Sequence, residues 1–344
     1  MLRRLMTWGV AIALVSPLAQ ASAQERVRIA SSTDSISYIP LYAAQMMGHF
    51  KDIGLQVDVM RVDSGPKAMS AVIGGDVDVI LGATTTPLAA RKAGVDVVFF
   101  APVTTQYSSN ILVSRKWADE HKITEKSSYA DKLAAMKGLT LGITGPGSGT
   151  DQIVRYMAAA AGINPDRDMT LVSLGGDGNT MMAALSQGRV DGLAISAPTS
   201  TVAIRTFNGA MLFNVGVGEV KSLDGYFQSG FAAQRDWLSK NRVAAVKLAK
   251  GVQMGIDSLR DPARTIKARE LIQKGYYSKL DPAVFDEAWK DQIAALPKNV
   301  ELSKKMIEDI INFNNQFAKD KIDLSLAENA YTDDIAQQAL KEMH

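Results

Sequence analysis

The chain has 344 residues, a formal net charge of +2 and no block of lysine or arginine, so nothing in its charge calls for nucleic acid as a partner. It holds no cysteine, which excludes disulfides, thiolate metal sites, a cysteine nucleophile and a lipidated cysteine. Its three histidines, His49, His121 and His344, stand too far apart to form a zinc ligand pair, so neither a metal nor a cofactor is expected.

Arg3 and Arg4 precede an apolar run over residues 5–18 that ends at Ala21-Ser22-Ala23. This pattern predicts a signal peptide over 1–23, cut after Ala23. The run is interrupted by Thr7, Gly9, Ser16 and Pro17 and is short for a bilayer span of about 20 apolar residues. Export without a lipid anchor implies a free periplasmic protein.

After processing, the chain exceeds one core of about 100–150 residues, so two lobes are expected. A strand is predicted over 27–30, a helix over 41–50 and a second strand over 55–62. Met69, Val72 and Ile73 then mark a helical face that stops at Gly75 and feeds a strand over 77–81. A strand over 97–103 completes this sheet, and the segment 104–110 leads into another over 111–114.

From Leu139 the pattern begins again: strand 139–143, helix 151–161, strand 169–174, a helix marked by Met182 and Leu185 that stops at Gly188, and strand 190–195. Ala71-Val72-Ile73-Gly74-Gly75-Asp76-Val77-Asp78 recurs as Ala184-Leu185-Ser186-Gln187-Gly188-Arg189-Val190-Asp191. Fifty residues separate Val27 from Val77, and 51 separate Leu139 from Val190. Each copy reads β-α-β-α-β, which implies a mostly parallel sheet covered on both faces with right-handed crossovers. Asp78 and Asp191 hold equivalent places, so they are expected to brace backbone in each lobe rather than to face each other as a carboxylate pair.

A returning strand over 228–233 gives a second crossing, and two crossings make a hinge. The fold class expected is therefore α/β, with two Rossmann-like lobes of mixed, mostly parallel sheets joined by a two-strand hinge. One lobe comprises residues 24–107 and 231–344, the other 108–230. Helices over 243–259, 262–274, 282–295 and 303–317, and a shorter one after Thr332, are expected to pack on the first lobe. Asp261 and Asp281 cap two of them ahead of a proline. Trp289, Phe313 and Phe317 fall at core-like spacing.

Ligands of such sheets bind beyond the carboxyl ends of the strands. That rule selects the loops 31–38, 84–87, 144–150 and 196–199, the last of which supplies Ser196 and Pro198 as candidates. Asn110, Asp177, Asn179 and Tyr226 are further candidates near the hinge or cleft.

Tyr38-Ile39-Pro40-Leu41-Tyr42-Ala43-Ala44-Gln45, the run Gly48-His49-Phe50-Lys51-Asp52-Ile53-Gly54-Leu55, and the two Gly-x-Val-Asp copies carry a resemblance over nearly the whole mature chain. It resembles the periplasmic binding proteins of nitrate, sulfonate, taurine and thiamine-pyrimidine-precursor transporters, of the type II periplasmic binding protein class. The resemblance implies a monomer that captures a small polar or anionic solute and delivers it to the membrane permease of an ABC transporter. It also implies that Ser35, Ser37, Tyr38, Thr85 and Thr86 border the cleft on one side. Ser148, Gly149 and Thr150 would stand opposite, heading a helix whose free N–H groups suit an anion.

Two other functions compete. A solute receptor of a non-ABC importer or a sensor would share the same lobes. An enzyme of pyrimidine-precursor metabolism would need chemistry that the motifs do not supply. Gly145-Pro146-Gly147-Ser148-Gly149 has proline where the G-x-S-x-G elbow needs glycine, and Thr150 stands where G-x-G-x-x-G needs glycine.

Overall fold

The computed structural model describes residues 25–343, so the expected signal peptide lies outside the described residues. Ten strands are assigned among them: β1 (Glu25–Ser31), β2 (Leu55–Arg61), β3 (Val79–Ala83), β4 (Val97–Thr104), β5 (Ser109–Ser114), β6 (Thr140–Ile143), β7 (Thr170–Ser173), β8 (Gly192–Ser196), β9 (Gly209–Phe213) and β10 (Ser229–Gln234). They form two five-stranded sheets, ordered β2-β1-β3-β10-β4 and β7-β6-β8-β5-β9.

The two sheets repeat one topology. In the first, β1 runs parallel to β2 and β3, while β10 is antiparallel to β3 and β4. In the second, β6 runs parallel to β7 and β8, while β5 is antiparallel to β8 and β9. Each sheet therefore takes one antiparallel strand from a crossing segment. The chain passes between the sheets after Thr104 and returns before Ser229.

Strand β9 is absent from the sequence reading, although it is the counterpart of β4. Twenty residues separate Val77 from Val97 and also Val190 from Ala210, so the repeat itself held the signal. Strands β3 and β8 begin two residues later than predicted, after Asp78 and Asp191 rather than before them.

Serine and aspartate set the helix starts, because their side chains accept otherwise unpaired first-turn N–H groups. Ser64 caps Gly65–Gly74 through the N–H of Lys67, Ser148 caps Gly149–Ala160 through that of Asp151, and Asp177 caps Gly178–Ser186 through that of Thr180. The predicted helix over 41–50 is two elements, Ile39–Met46 and His49–Asp52, because Gly48 takes the left-handed conformation at φ 85°.

The C-terminal helices differ in part from expectation. Arg242–Arg260 packs against Ile39–Met46 and Asp334–Lys341 of the first half, as expected. Pro282–Ile293 and Lys304–Phe317, however, also pack against Thr199–Thr206 and Gly149–Ala160 of the second half. Aromatic burial explains this bridging. Phe313 stacks on Tyr156 with 4.7 Å between ring centres and lies 5.1 Å from Tyr226, both in the second half. Trp289 and Phe313 are buried in separate clusters, and Phe317 packs edge-on against Phe313 with 5.5 Å between ring centres.

Candidate functional site

Residues at or just beyond the carboxyl ends of β1, β3, β6 and β8 meet across the gap between the halves. Together with the crossing segments they line an inner chamber of about 30 Å³. Its wall holds nine serine and threonine residues, with Tyr38 and Gln228, and no charged side chain. Hydroxyls both donate and accept, so this lining suits a small, strongly hydrogen-bonding group without fixing its charge.

Of the residues expected to bind, Ser35, Ser37, Tyr38, Gly149, Thr150 and Ser196 line this chamber. Ser35 Oγ accepts the N–H of Ser37 at 3.1 Å and lies 2.7 Å from Ser37 Oγ. Burial raises the Tyr38 hydroxyl above the ordinary tyrosine range, which keeps it a neutral phenol. Thr150 Oγ1 accepts the N–H of Thr144 at 2.9 Å and thereby ties the loop after β6 to the first helical turn. Ser196 Oγ lies 3.2 Å from Ser109 Oγ and 3.3 Å from Ser108 Oγ.

The remaining candidates sit elsewhere. Thr85 and Thr86 are buried in the first turn of Thr85–Lys92, and Ala83 faces the chamber in their place. Ser148 is the buried cap of its helix and stands behind Thr150, with 2.9 Å between their hydroxyl oxygens. Asn110 braces the second half: its Oδ1 accepts the N–H of Gly216 at 2.8 Å. Tyr226 is packed into the aromatic cluster around Phe313. Asn179 is exposed on its helix and does not line the chamber.

Ser108, Ser109 and Gln228 are lining residues that the sequence reading missed. They belong to the crossing segments, and Ser108 Oγ joins them by donating to Gln228 Oε1 at 3.2 Å. The hydroxyl-rich stretch 104–110 and the return strand are visible in the sequence, and β5 and β10 are counterparts in the two sheets, but the copies share only Ser109 with Ser229, Arg115 with Arg235 and Trp117 with Trp237, a fainter signal than the helix-glycine-strand repeat.

An outer chamber of about 190 Å³ adjoins the inner one and shares Thr33, Ser35, Ile195 and Ser196 with it. Pro198, Arg61, Asp34, Tyr276 and Tyr277 complete much of its wall. Arg61 bridges the halves here, bonding Asp34 at 2.6 Å and Asp177 at 3.5 Å. Its guanidinium is held above its usual range, by Asp34 first and Asp177 second. Asp177 is held below the usual carboxylate range, chiefly by the N–H of Thr180 that it caps.

The halves touch at several further points. The N–H of Ile36 donates to the carbonyl of Ala197 at 3.1 Å, and the Tyr107 hydroxyl donates to the carbonyl of Gly149 at 2.6 Å. A Cβ on Gly149 would lie 2.7 Å from that of Ala83, and one on Gly176 would lie 2.1 Å from the carbonyl oxygen of Ser32. Only glycine permits either approach.

Two α/β halves of one topology, joined by two crossings and meeting over a polar chamber at their strand ends, define a bilobal binding protein of the periplasmic binding protein fold. The chain belongs to the NMT1-like family, which it matches over residues 21–273. It is 26% identical to YtlA of Bacillus subtilis over 314 residues, covering 83% of this chain and 88% of YtlA. It is also 26% identical to the nitrate/nitrite binding protein NrtA of Nostoc over 260 residues, covering 70% of this chain and 56% of NrtA.

Among solved structures, a Bordetella bronchiseptica protein superposes with a TM-score of 0.80 at 22% identity, covering 93% of this chain and 98% of its own. The alkanesulfonate-binding protein SsuA of Xanthomonas axonopodis, solved with MOPS bound, superposes at 0.68 with 19% identity, covering 91% and 99%. Among the described residues no helix is long and apolar enough to cross a membrane.

Proposed function

We propose that this chain is the periplasmic solute-binding component of an ABC uptake transporter. It acts as a monomer, closes its lobes, 24–107 with 231–344 and 108–230, over a small polar or anionic organic molecule, and presents the closed form to a membrane permease. The observation that carries this reading is the hydroxyl-lined chamber, to which both sheets contribute strand ends. A solute seated there touches both halves at once, so its binding free energy is also closure free energy, and the closed population rises with its preference for that form.

The chamber's wall offers hydroxyl and N–H donors to a polar head group without an opposing cation. The helix Gly149–Ala160 begins at its wall, and the first-turn N–H groups of such a helix are aimed at whatever lies before them. Several satisfied hydrogen bonds of about 1 kcal/mol net each, with exclusion of water, bring micromolar binding, about 8 kcal/mol, within reach.

The protein performs no chemistry on its solute in this reading. Ser35 and Ser37 bond each other, Ser108 and Ser109 lie against Ser196, and among the described residues no histidine lines the chamber: His49 is paired with Ser258 at 2.8 Å and His121 is stacked on Trp117. Relatives named for nitrate and alkanesulfonate binding support an anionic head group.

The test is a thermal-shift screen of the purified protein against sulfonates, aliphatic and aromatic carboxylates, nitrate and pyrimidines, followed by small-angle scattering with each hit. A hit that raises Tm and compacts the protein is the expected result. Recovery of a chemically altered solute, or binding without compaction, would sink the proposal.

A further inference from the structure

The outer chamber is built differently from the inner one. The rings of Tyr276 and Tyr277 and the ring of Pro198 wall it. Both tyrosines are immobilised. Tyr276 stacks on Tyr42 with 3.9 Å between ring centres and donates its hydroxyl to Gln45, while the Tyr277 hydroxyl donates to the carbonyl of Asp34 at 3.0 Å. A pre-ordered aromatic wall loses little rotamer freedom when something packs on it, and flat apolar groups pack on it best.

Size and charge narrow the occupant further. A cavity of about 150 Å³ is enough for benzene, and the outer chamber offers about 190 Å³. The inner chamber, at about 30 Å³, is close to the volume of one water, so a head group meets its hydroxyls at Thr33, Ser35 and Ser196, where the two chambers share their wall, with the body in the outer one. Arg61 and Asp34 line the outer chamber and Arg61 also bonds Asp177, so its single charge is already matched and one carboxylate is left in excess. A second anionic group on the solute would meet that excess negative charge.

We infer that the solute is an organic monoanion with an aryl or similarly flat apolar body, its head at the shared hydroxyls of Thr33, Ser35 and Ser196 and its body against Tyr276 in the outer chamber. This rests on the solute-binding reading above, and it separates the protein's solute from bare inorganic anions and from dianions.

Calorimetric titration of matched series tests it. Benzoate and benzenesulfonate are expected to bind at least about tenfold tighter than acetate and methanesulfonate, and terephthalate and 4-sulfobenzoate at least about tenfold weaker than the aryl monoanions. Tyr276→Ala should remove most of the aryl advantage. Tyr276→Leu, which keeps the bulk, should retain part of it and guards against a folding defect. Asp177→Asn should narrow the gap between monoanion and dianion. Small anions binding as tightly as their aryl partners, an aryl advantage that survives both Tyr276 variants, or dianions binding as well as monoanions would each overturn the inference while leaving solute capture intact. Absence of binding by every member of the series would overturn both.

Discussion

Asp78 and Asp191 make the same pair of bonds in the two halves. Asp78 Oδ2 accepts the N–H of Arg28 at 2.8 Å, and Asp191 Oδ2 accepts the N–H of Thr140 at 2.9 Å. In return their own N–H groups donate to the carbonyls of Arg28 and Thr140 at 2.9 and 2.8 Å. Each aspartate stands immediately before the third strand of its unit and ties that strand to the first, which is why the Gly-x-Val-Asp sequence appears twice. Neither lines a chamber.

Asp191→Ala leaves the Thr140 N–H without its partner and should destabilise the protein by about 2 kcal/mol in chemical denaturation. Asp78→Ala should do at least as much, because Asp78 also receives the Arg28 guanidinium at 2.7 Å. Solute affinity should stay within about twofold for both, since the bonds lie outside the chambers. A variant with intact stability and lost affinity would mean that these carboxylates belong to the site after all.

Gly149 and Gly176 should behave in the opposite way. A methyl group on Gly149 meets Ala83, and one on Gly176 meets the Ser32 carbonyl, in both cases across the gap between the halves. The clash is relieved by opening the lobes rather than by unfolding either one. Gly149→Val and Gly176→Ala should therefore lower solute affinity at least about tenfold, which corresponds to about 1.4 kcal/mol, with the ligand-free Tm nearly unchanged. Scattering curves that still compact on adding solute would show that these approaches do not limit closure.

The Tyr107 hydroxyl bonds the Gly149 carbonyl at 2.6 Å from a buried ring in the segment that follows β4. Tyr107→Phe keeps the packing against Tyr226 and Phe313 and removes only this bond. A loss of about 1 kcal/mol of closure free energy, about fivefold in affinity, is expected, carried in the dissociation rate. An unchanged dissociation rate would place the bond outside the closing motion.

How far the sequence reached into this site follows from where each residue sits in the repeat. The duplicated helix-glycine-strand segment points to both sheets and to the strand-end loops; within those loops the resemblance names Ser35, Tyr38, Gly149 and Thr150, which line the inner chamber together with Ser196. Ser108, Ser109 and Gln228 stand at the amino ends of β5 and β10, counterparts that run antiparallel to their neighbours, so a rule that points to carboxyl ends of strands does not select them. Thr85 and Thr86, which the resemblance puts beside the cleft, are buried in the first turn of their helix, and Thr84 ahead of them donates its hydroxyl to the Phe227 carbonyl at 2.8 Å. The bridging role of Phe313 was also hidden, because helical spacing shows that a ring is buried but not which half buries it.

Several carboxylates tie stability to acid pH. The Arg91 guanidinium beside Asp96 holds that carboxyl below its usual range, and the Arg264 N–H does the same for Asp261. Asp168 is held down to about 2, first by Arg167 and then by the N–H of Asn164. A carboxyl whose folded pKa is depressed contributes stability that is fully present above its unfolded pKa of about 3.9 and is lost as pH falls through the folded value. Asp291, raised by burial and by Glu287, works the other way and offsets a part of the loss. These pairs are largely exposed, so each contributes little and salt weakens it further. Tm should therefore decline slightly from pH 7 to pH 5, because burial lowers the His49 imidazole and the unfolded chain takes up its proton first, and fall further below about pH 4, less steeply in 0.5 M salt, the slope recording extra protons bound by the unfolded chain. Asp177 places solute binding on the same side of the scale, because protonating it removes its attraction to Arg61 across the gap. Affinity measured with benzenesulfonate, which stays ionised throughout, should weaken below about pH 4 in the parent and vary less in Asp177→Asn. A Tm that rises toward pH 3, or identical affinity profiles for the two proteins, would contradict this assignment of the charges.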